Sequence, residues 1–288
     1  MSPAVIAVDG GGTRCRLSLD GRVTVETGPA NLVSDPHGAL ARLRAGLGDL
    51  ADAAGLPAAA LAEIPAYLGL AGCLSSGLGG RIAAELPCPV LAVEDDRPAA
   101  VRGALGSAMG GLAHCGTGSF LARRSAEGIR LAGGWGAILG DEASAAWTGR
   151  RALSRTLDAA DGLTAPSGLT EGLMQRLGGS AGIVAFAAGA GPAALGSLAP
   201  EVTARAAEGD PVAAGILAEG AGHIARVLAA LGHRPGDPLC LTGGIGPAFA
   251  PYLPDGLQAG LREPAGTPLD GALAIARELA GQQQGRRA

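Results

Sequence analysis

A chain of 288 residues that is 48% hydrophobic, with 50 glycines and 19 prolines, is long enough for two domains that each bury a core and suits a compact α/β protein rich in turns. A net charge of −4 gives no reason to expect nucleic acid or an anionic membrane as partner, and no window reaches about 18 uninterrupted apolar residues. All 22 basic residues are Arg, so a P-loop lysine, a protein-kinase strand lysine and Schiff-base chemistry are excluded. Cys15, Cys73, Cys88, Cys115 and Cys240 are odd in number and never form a C-x-x-C pair, which supports neither a disulfide framework nor a zinc site. The start MSPAVIAVDGG has no basic n-region, and the expectation is a soluble cytoplasmic protein.

In chain order, Val5–Asp9 reads as a buried strand and Arg16–Asp20 as the next, so Gly10–Gly12 forms a hairpin. Three glycines let backbone N–H groups converge on an anion without Cβ atoms in the way, and Thr13 adds a hydroxyl. A carboxylate beside such a turn repels phosphate unless a cation intervenes, so Asp9 points to Mg²⁺ held through water. Val23–Thr27 completes a meander and Gly28–Asn31 breaks it. A helix over Pro36–Ala54 follows, with Leu40, Leu43, Leu47 and Leu50 on its apolar face. Strand Ala66–Cys73, helix Ser75–Leu86, strand Pro89–Val93 and helix Arg97–Leu105 give the order βββαβαβα.

The second half begins in the same way, with strand Gly111–Cys115, the turn Gly116-Thr117-Gly118-Ser119 and strands Phe120–Arg123 and Ile129–Ala132. A helical insertion over about Glu142–Glu208, a long helix Pro211–Leu231, and a strand Asp237–Thr242 ending at Gly243-Gly244 complete it. The segment Asp270–Ala280 reads as a helix able to pack back on the N-terminal domain. The domains are read as 1–106 and 107–288.

Five motifs in order, D9-G-G-G-T13, E-D-D96 before A-A-V-R-G-A, G116-T-G-S119, G133-G-W-G136 with G140-D-E142, and L241-T-G-G-I245, resemble the N-acetylglucosamine/glucosamine kinase group of the BadF/BadG/BcrA/BcrD-type ATPases. The resemblance covers nearly the whole chain. It implies two duplicated RNase-H-like, actin-like domains flanking a nucleotide cleft, ATP with Mg²⁺ as cofactors, a small amino sugar as substrate, and a homodimer.

By resemblance, Gly11, Gly12, Thr13 and Arg14 form one phosphate loop, Gly116, Thr117, Gly118 and Ser119 the other, and Gly243 with Gly244 lies against the adenosine. Asp96 is the base that accepts the proton of the sugar hydroxyl, since phosphoryl transfer needs mainly positioning and one well-placed carboxylate. Asp95 and Asp96 precede Arg97-Pro98, so helix capping is the structural alternative for both. Asn31, Gly134, Trp135 and Asp141 match sugar-contacting positions, while Asp141 directly before Glu142 would also serve as an N-cap. His37, His223 and His233 read as structural, and His114 with Cys115 as buried strand packing.

The reaction expected is ATP-dependent phosphorylation of the 6-hydroxyl of N-acetyl-D-glucosamine or glucosamine. The residues do not choose between free amine and N-acetyl. Two other readings stand beside it. One is an ATPase activator of a 2-hydroxyacyl-CoA dehydratase or benzoyl-CoA reductase system, which would need cluster-binding cysteines absent from any recognisable loop. The other is a non-catalytic sugar sensor, disfavoured by the presence of Asp96 and the lack of a helix-turn-helix before Asp9.

Overall fold

The computed structural model describes residues 4–286 and divides into two compact units, one built from residues up to Ala108 together with those from Pro264 onward, the other from Met109–Glu263.

In the first unit, strands β1 (Ile6–Gly10), β2 (Cys15–Leu19) and β3 (Val23–Thr27) form the meander, and β4 (Ala66–Leu70) and β5 (Val90–Glu94) extend it in the order β3-β2-β1-β4-β5. β1 pairs antiparallel with β2 and parallel with β4, setting Asp9 opposite Arg16 on one side and Gly69 on the other. Period-2 alternation divides β1 between two cores. Ile6 and Val8 join Leu17, Leu68 and the leucines Leu43, Leu47 and Leu50 of helix α1 (Pro36–Ala53). Val5 and Ala7 join Tyr67, Ala99 and the C-terminal helix (Pro268–Gly285) through Ala272, Leu273 and Ala276. Side chains reach these faces because the helices start cleanly: Asp35 caps α1 by accepting from Gly38 N–H at 2.9 Å, and Ser75 caps α2 (Ser76–Ala84). Helix α3 (Arg97–Leu105) lies against the C-terminal helix, and a Cβ on Gly271 would fall inside the backbone of Ala99 and Gly103.

The second unit repeats the motif with β6 (Gly110–Cys115), β7 (Ser119–Ser125), β8 (Gly128–Gly133) and β9 (Leu239–Thr242) in the order β8-β7-β6-β9, with β9 parallel to β6. Between β8 and β9 run α4 (Ala145–Ala160), α5 (Gly168–Leu177), α6 (Gly179–Gly189), α7 (Pro192–Gly196), α8 (Ala199–Ala207) and α9 (Pro211–Ala230). Long and apolar enough to cross a membrane by composition, α9 instead buries Ile216, Leu217, Ile224 and Leu228 in this unit's core. A 3₁₀ turn (Gly246–Tyr252) and α10 (Asp255–Gln258) follow β9, neither of which the sequence pattern signals.

The helical insertion starts later than the sequence suggests. Ser144 caps α4 by accepting from Trp147 N–H at 3.0 Å, and the preceding turn holds Asp141 and Ala143 at φ of 61° and 64°. Non-glycine residues take that conformation only when their surroundings enforce it.

Candidate functional site

The first glycine hairpin closes with Gly11 N–H donating to the Arg14 carbonyl at 2.9 Å, and leaves Gly12, Thr13 and Arg14 exposed. None of Gly10–Gly12 is left-handed, and only Gly10 is needed for space. A Cβ on Gly10 would stand 2.6 Å from Leu70 Cδ2, whereas one on Gly12 would meet nothing nearer than Asn31 Nδ2 at 3.9 Å. The loop is thus an open shelf of backbone on which a phosphate can rest. Arg14 points along the sheet toward Glu26, at 3.9 Å.

Asp9 is 9% exposed at the end of β1, with Oδ2 accepting from Arg16 Nη2 at 2.7 Å. Burial raises its pKa despite the opposing pull of Arg16. Asn31 lies beside this shelf. Its Oδ1 accepts from Val33 N–H at 2.9 Å and Ser34 N–H at 3.1 Å, so the amide oxygen is spent on the turn and the NH₂ group faces Gly12. Gly72, at φ +79°, closes the other side, where a Cβ would come within 3.0 Å of Asn31 Oδ1.

Asp95 and Asp96 take different positions at the start of α3. Asp95 Oδ1 accepts from Arg97 N–H at 3.0 Å and from Arg97 Nε at 2.5 Å, so it takes the helix start and an ion pair. Asp96 occupies the cap position of α3 without a side-chain capping bond. Its carboxyl is pushed up to about 7, first by burial and then by the charges of Asp95 and Asp9. A carboxylate freed from structural duty and titrating near neutrality is suited to accept a proton.

In the second unit, Gly116 N–H donates to the Gly118 carbonyl at 2.9 Å to close the second hairpin. Gly243, at φ +82°, lies so close beneath it that a Cβ would be 2.6 Å from Gly116 N and inside the Cys115 carbonyl. Ile245 N–H donates to that same carbonyl at 3.1 Å. The hairpin and the Gly243-Gly244 turn are therefore one layer of backbone, with Gly244 exposed at its edge.

Asp141 is 8% exposed, and its carboxylate accepts from Gly136 N–H at 3.3 Å and from Ser119 N–H. Burial raises its pKa against these donors. The N-cap alternative for Asp141 is overturned, because Ser144 holds that position. Trp135 is 64% exposed on the adjacent loop, whereas Trp147 is core. His114 stacks on Phe120, its Nδ1 3.0 Å from Thr242 Oγ1, and burial lowers its pKa to about 4. Cys115 is pushed up to about 12 by burial, which excludes a thiolate.

The family model described as the BadF/BadG/BcrA/BcrD ATPase family matches residues 6–252, a span that includes both hairpins, Asp96, Asp141 and the Gly243-Gly244 turn. The chain belongs to this family. Among relatives, this BadF/BadG/BcrA/BcrD ATPase is similar to Glucosamine kinase GspK of Vibrio cholerae serotype O1, at 27% identity over 285 residues spanning 94% of this chain and 95% of the relative. A solved structure from Chromobacterium violaceum, provisionally assigned as an N-acetylglucosamine kinase, is 34% identical with a TM-score of 0.85 and covers 96% of this chain and 99% of its own. A ROK family glucokinase of Streptomyces griseus, solved with glucose and AMPPNP, shares the fold at 18% identity and a TM-score of 0.60, over 96% and 99% of the two chains. The mixed α/β architecture with two sheets is that of actin-like ATPases and sugar kinases, and membership of an ATPase family carries the use of ATP.

Three functional details of this BadF/BadG/BcrA/BcrD ATPase were missed from the sequence. Arg16 holds Asp9, which a strand pair with opposed charges could have signalled. Asp95 rather than Asp96 takes the helix start, and a D-D-R-P string is symmetric to a reader without coordinates. Ser119 has its hydroxyl turned inward, at 5% exposure, toward the Glu142 carbonyl at 2.6 Å.

Proposed function

We propose that this chain is an ATP-dependent amino-sugar kinase that transfers the γ-phosphoryl group of ATP to the 6-hydroxyl of N-acetyl-D-glucosamine, with glucosamine the next choice. The observation that carries the reading is Asp96, a partly buried carboxyl at a strand end, raised to about 7 and without a capping bond. In this role Asp96 Oδ takes the hydroxyl proton as the sugar oxygen attacks phosphorus and ADP leaves. In the first unit Asn31 offers its NH₂ group to sugar hydroxyls, and in the second Asp141 offers its carboxylate, with Gly134 and Trp135 on the loop next to Asp141. Thr13, Thr117 and the backbone of Gly11, Gly12, Gly116 and Gly118 receive phosphate oxygens, and Gly243 and Gly244 lie against adenosine.

Among the described residues no cluster of three His, Cys, Asp or Glu could cage a metal. The donor set fits Mg²⁺ all the same, since this ion is held by one or two carboxylates, water and the nucleotide phosphates. Asp9 has one oxygen on Arg16 and the other available for a metal-bound water. When bound, the ion neutralises charge on the phosphate oxygens. An ATP-consuming reaction on a small sugar fits a cytoplasmic enzyme, and a homodimer is proposed from the resemblance alone.

The test is ADP formation by the purified protein with ATP and Mg²⁺, alone and with N-acetylglucosamine, glucosamine, N-acetylmuramate or glucose, with the product identified by mass. Sugar-dependent ADP with a matching sugar 6-phosphate is the expected result. Sugar-independent hydrolysis would favour the activator reading, and no turnover with retained sugar binding the sensor.

A further inference from the structure

All three polar groups of Ser119 are aimed at the loops that carry the proposed sugar contacts. Its N–H donates to the Asp141 carboxylate, its carbonyl accepts from Gly134 N–H at 2.9 Å, and its hydroxyl donates to the Glu142 carbonyl at 2.6 Å. Next to it, a Cβ on Gly118 would stand 2.6 Å from Asp141 Oδ2, so the hairpin backbone and this carboxylate are packed without a gap. One further bond joins the same pieces and another closes the turn itself. Ala145 N–H donates to the Gly116 carbonyl at 2.9 Å, and Ser144 N–H donates to the Asp141 carbonyl at 3.0 Å. The turn they hold carries Asp141 and Ala143 in left-handed conformations, which persist only where neighbouring bonds over-determine them.

We infer that Ser119 is a positioning residue through which nucleotide and sugar occupancy are coupled. The inference rests on the amino-sugar kinase reading. A phosphate held on the Gly116–Gly118 backbone fixes where the hairpin sits, and the Ser119 hydroxyl, N–H and carbonyl carry that position to Glu142, Asp141 and Gly134. Because the two pieces are bonded and packed without a gap, the ligand that sets one sets the other, and the second ligand meets a site already placed. Linkage makes the effect reciprocal, so sugar tightens nucleotide by the same factor as nucleotide tightens sugar. The buried hydroxyl is turned away from the hairpin's exposed face and donates inward to a carbonyl.

The experiment is calorimetric titration of the full-length protein with a non-hydrolysable ATP analogue and Mg²⁺, without and with a saturating concentration of whichever sugar supports turnover. The wild type is expected to bind the analogue roughly 5- to 150-fold more tightly with sugar present. Ser119→Ala removes the donor and should bring that ratio below about 2, while each ligand alone binds within a few fold of wild type. Ser119→Thr keeps the hydroxyl and should keep most of the ratio. Ser119→Cys, which keeps the volume with a poor donor, should lose it, and answers the question if the alanine variant does not fold. A wild-type ratio near 1, or a ratio unchanged in Ser119→Ala or Ser119→Cys, would overturn the inference. Absence of turnover with every sugar would instead overturn the kinase reading itself.

Discussion

At the hairpin of the first unit, Gly12, Thr13 and Arg14 are exposed; a backbone bond from Gly11 to Arg14 closes the turn, and its base is held from below by Ala30 N–H on the Gly11 carbonyl at 3.1 Å and Ala71 N–H on the Gly10 carbonyl at 2.7 Å. At that of the second, Ser119 is tied to Gly134, Asp141 and Glu142, and Gly243 is wedged beneath Gly116. Two turns that read alike as Gly/Thr sequences therefore differ in what supports them. The first leaves an open shelf next to Asp9 and belongs to the unit that carries the candidate base Asp96. The second is a girder whose position is set by its neighbours. Substitutions should act on chemistry in the first unit and on architecture in the second.

The largest effect expected is from Asp96→Asn, which should lower kcat by about 10²- to 10⁴-fold, the usual contribution of a positioned general base, with sugar binding by calorimetry nearly unchanged. Retained turnover would remove Asp96 from the role of base and erase the contrast. Gly243→Ala is the matching break in the second unit. It combines a forbidden φ with overlap on the Cys115 carbonyl, and should cost about 3 kcal/mol of stability in denaturant unfolding. Full stability in that variant would show the second hairpin to be as loosely held as the first.

A pH series sharpens the comparison. Because the Asp96 pKa is raised to about 7 from 3.8, the protonated carboxyl stabilises the fold fully below pH 3.8, and this contribution is lost as pH rises through about 7. The thermal midpoint of Asp96→Asn relative to wild type should therefore climb between pH 4 and pH 7, while kcat/KM of the wild type rises as the base ionises near pH 7. A difference in midpoint that is flat with pH would show that Asp96 is not raised. The smallest effect on stability is expected at Gly12, which is not left-handed and has open space at its Cβ. Gly12→Ala should leave stability unchanged or raise it by up to about 1 kcal/mol, while the new methyl on the phosphate shelf raises the KM for ATP severalfold. A stability loss as large as that of Gly243→Ala would contradict the shelf.

These differences explain what could be read without coordinates. The strands and the helices that carry leucine at helical spacing were legible because burial follows period, as at Ile6–Val8 in β1 and at Leu43, Leu47 and Leu50 in α1. The start of α4 was not, because Asp141 before Glu142 imitates a cap that Ser144 supplies. The motif positions were legible as residue types, but the direction of a side chain was not. Ser119 looks like a phosphate hydroxyl and turns inward; Asn31 looks free at both ends and has its oxygen committed to Val33 and Ser34. Asp95 and Asp96 are separated only by which one reaches the Arg97 N–H.

The C-terminal helix has a consequence for biosynthesis. Ala272, Leu273 and Ala276 cover the face of the first sheet that carries Val5, Ala7 and Tyr67, and Gly271 lets this helix touch the backbone of α3. The chain that makes the sheet emerges from the ribosome before the helix that covers it, with the whole of Met109–Glu263 translated in between. At roughly 5–20 residues per second the first sheet waits on the order of ten seconds or more with that apolar face covered only in part, by Ala99 of α3, while the second unit can already close. A segment made late thus completes a sheet made early, and a message cut short before Pro268 leaves a folded second unit joined to a sheet that cannot be sealed.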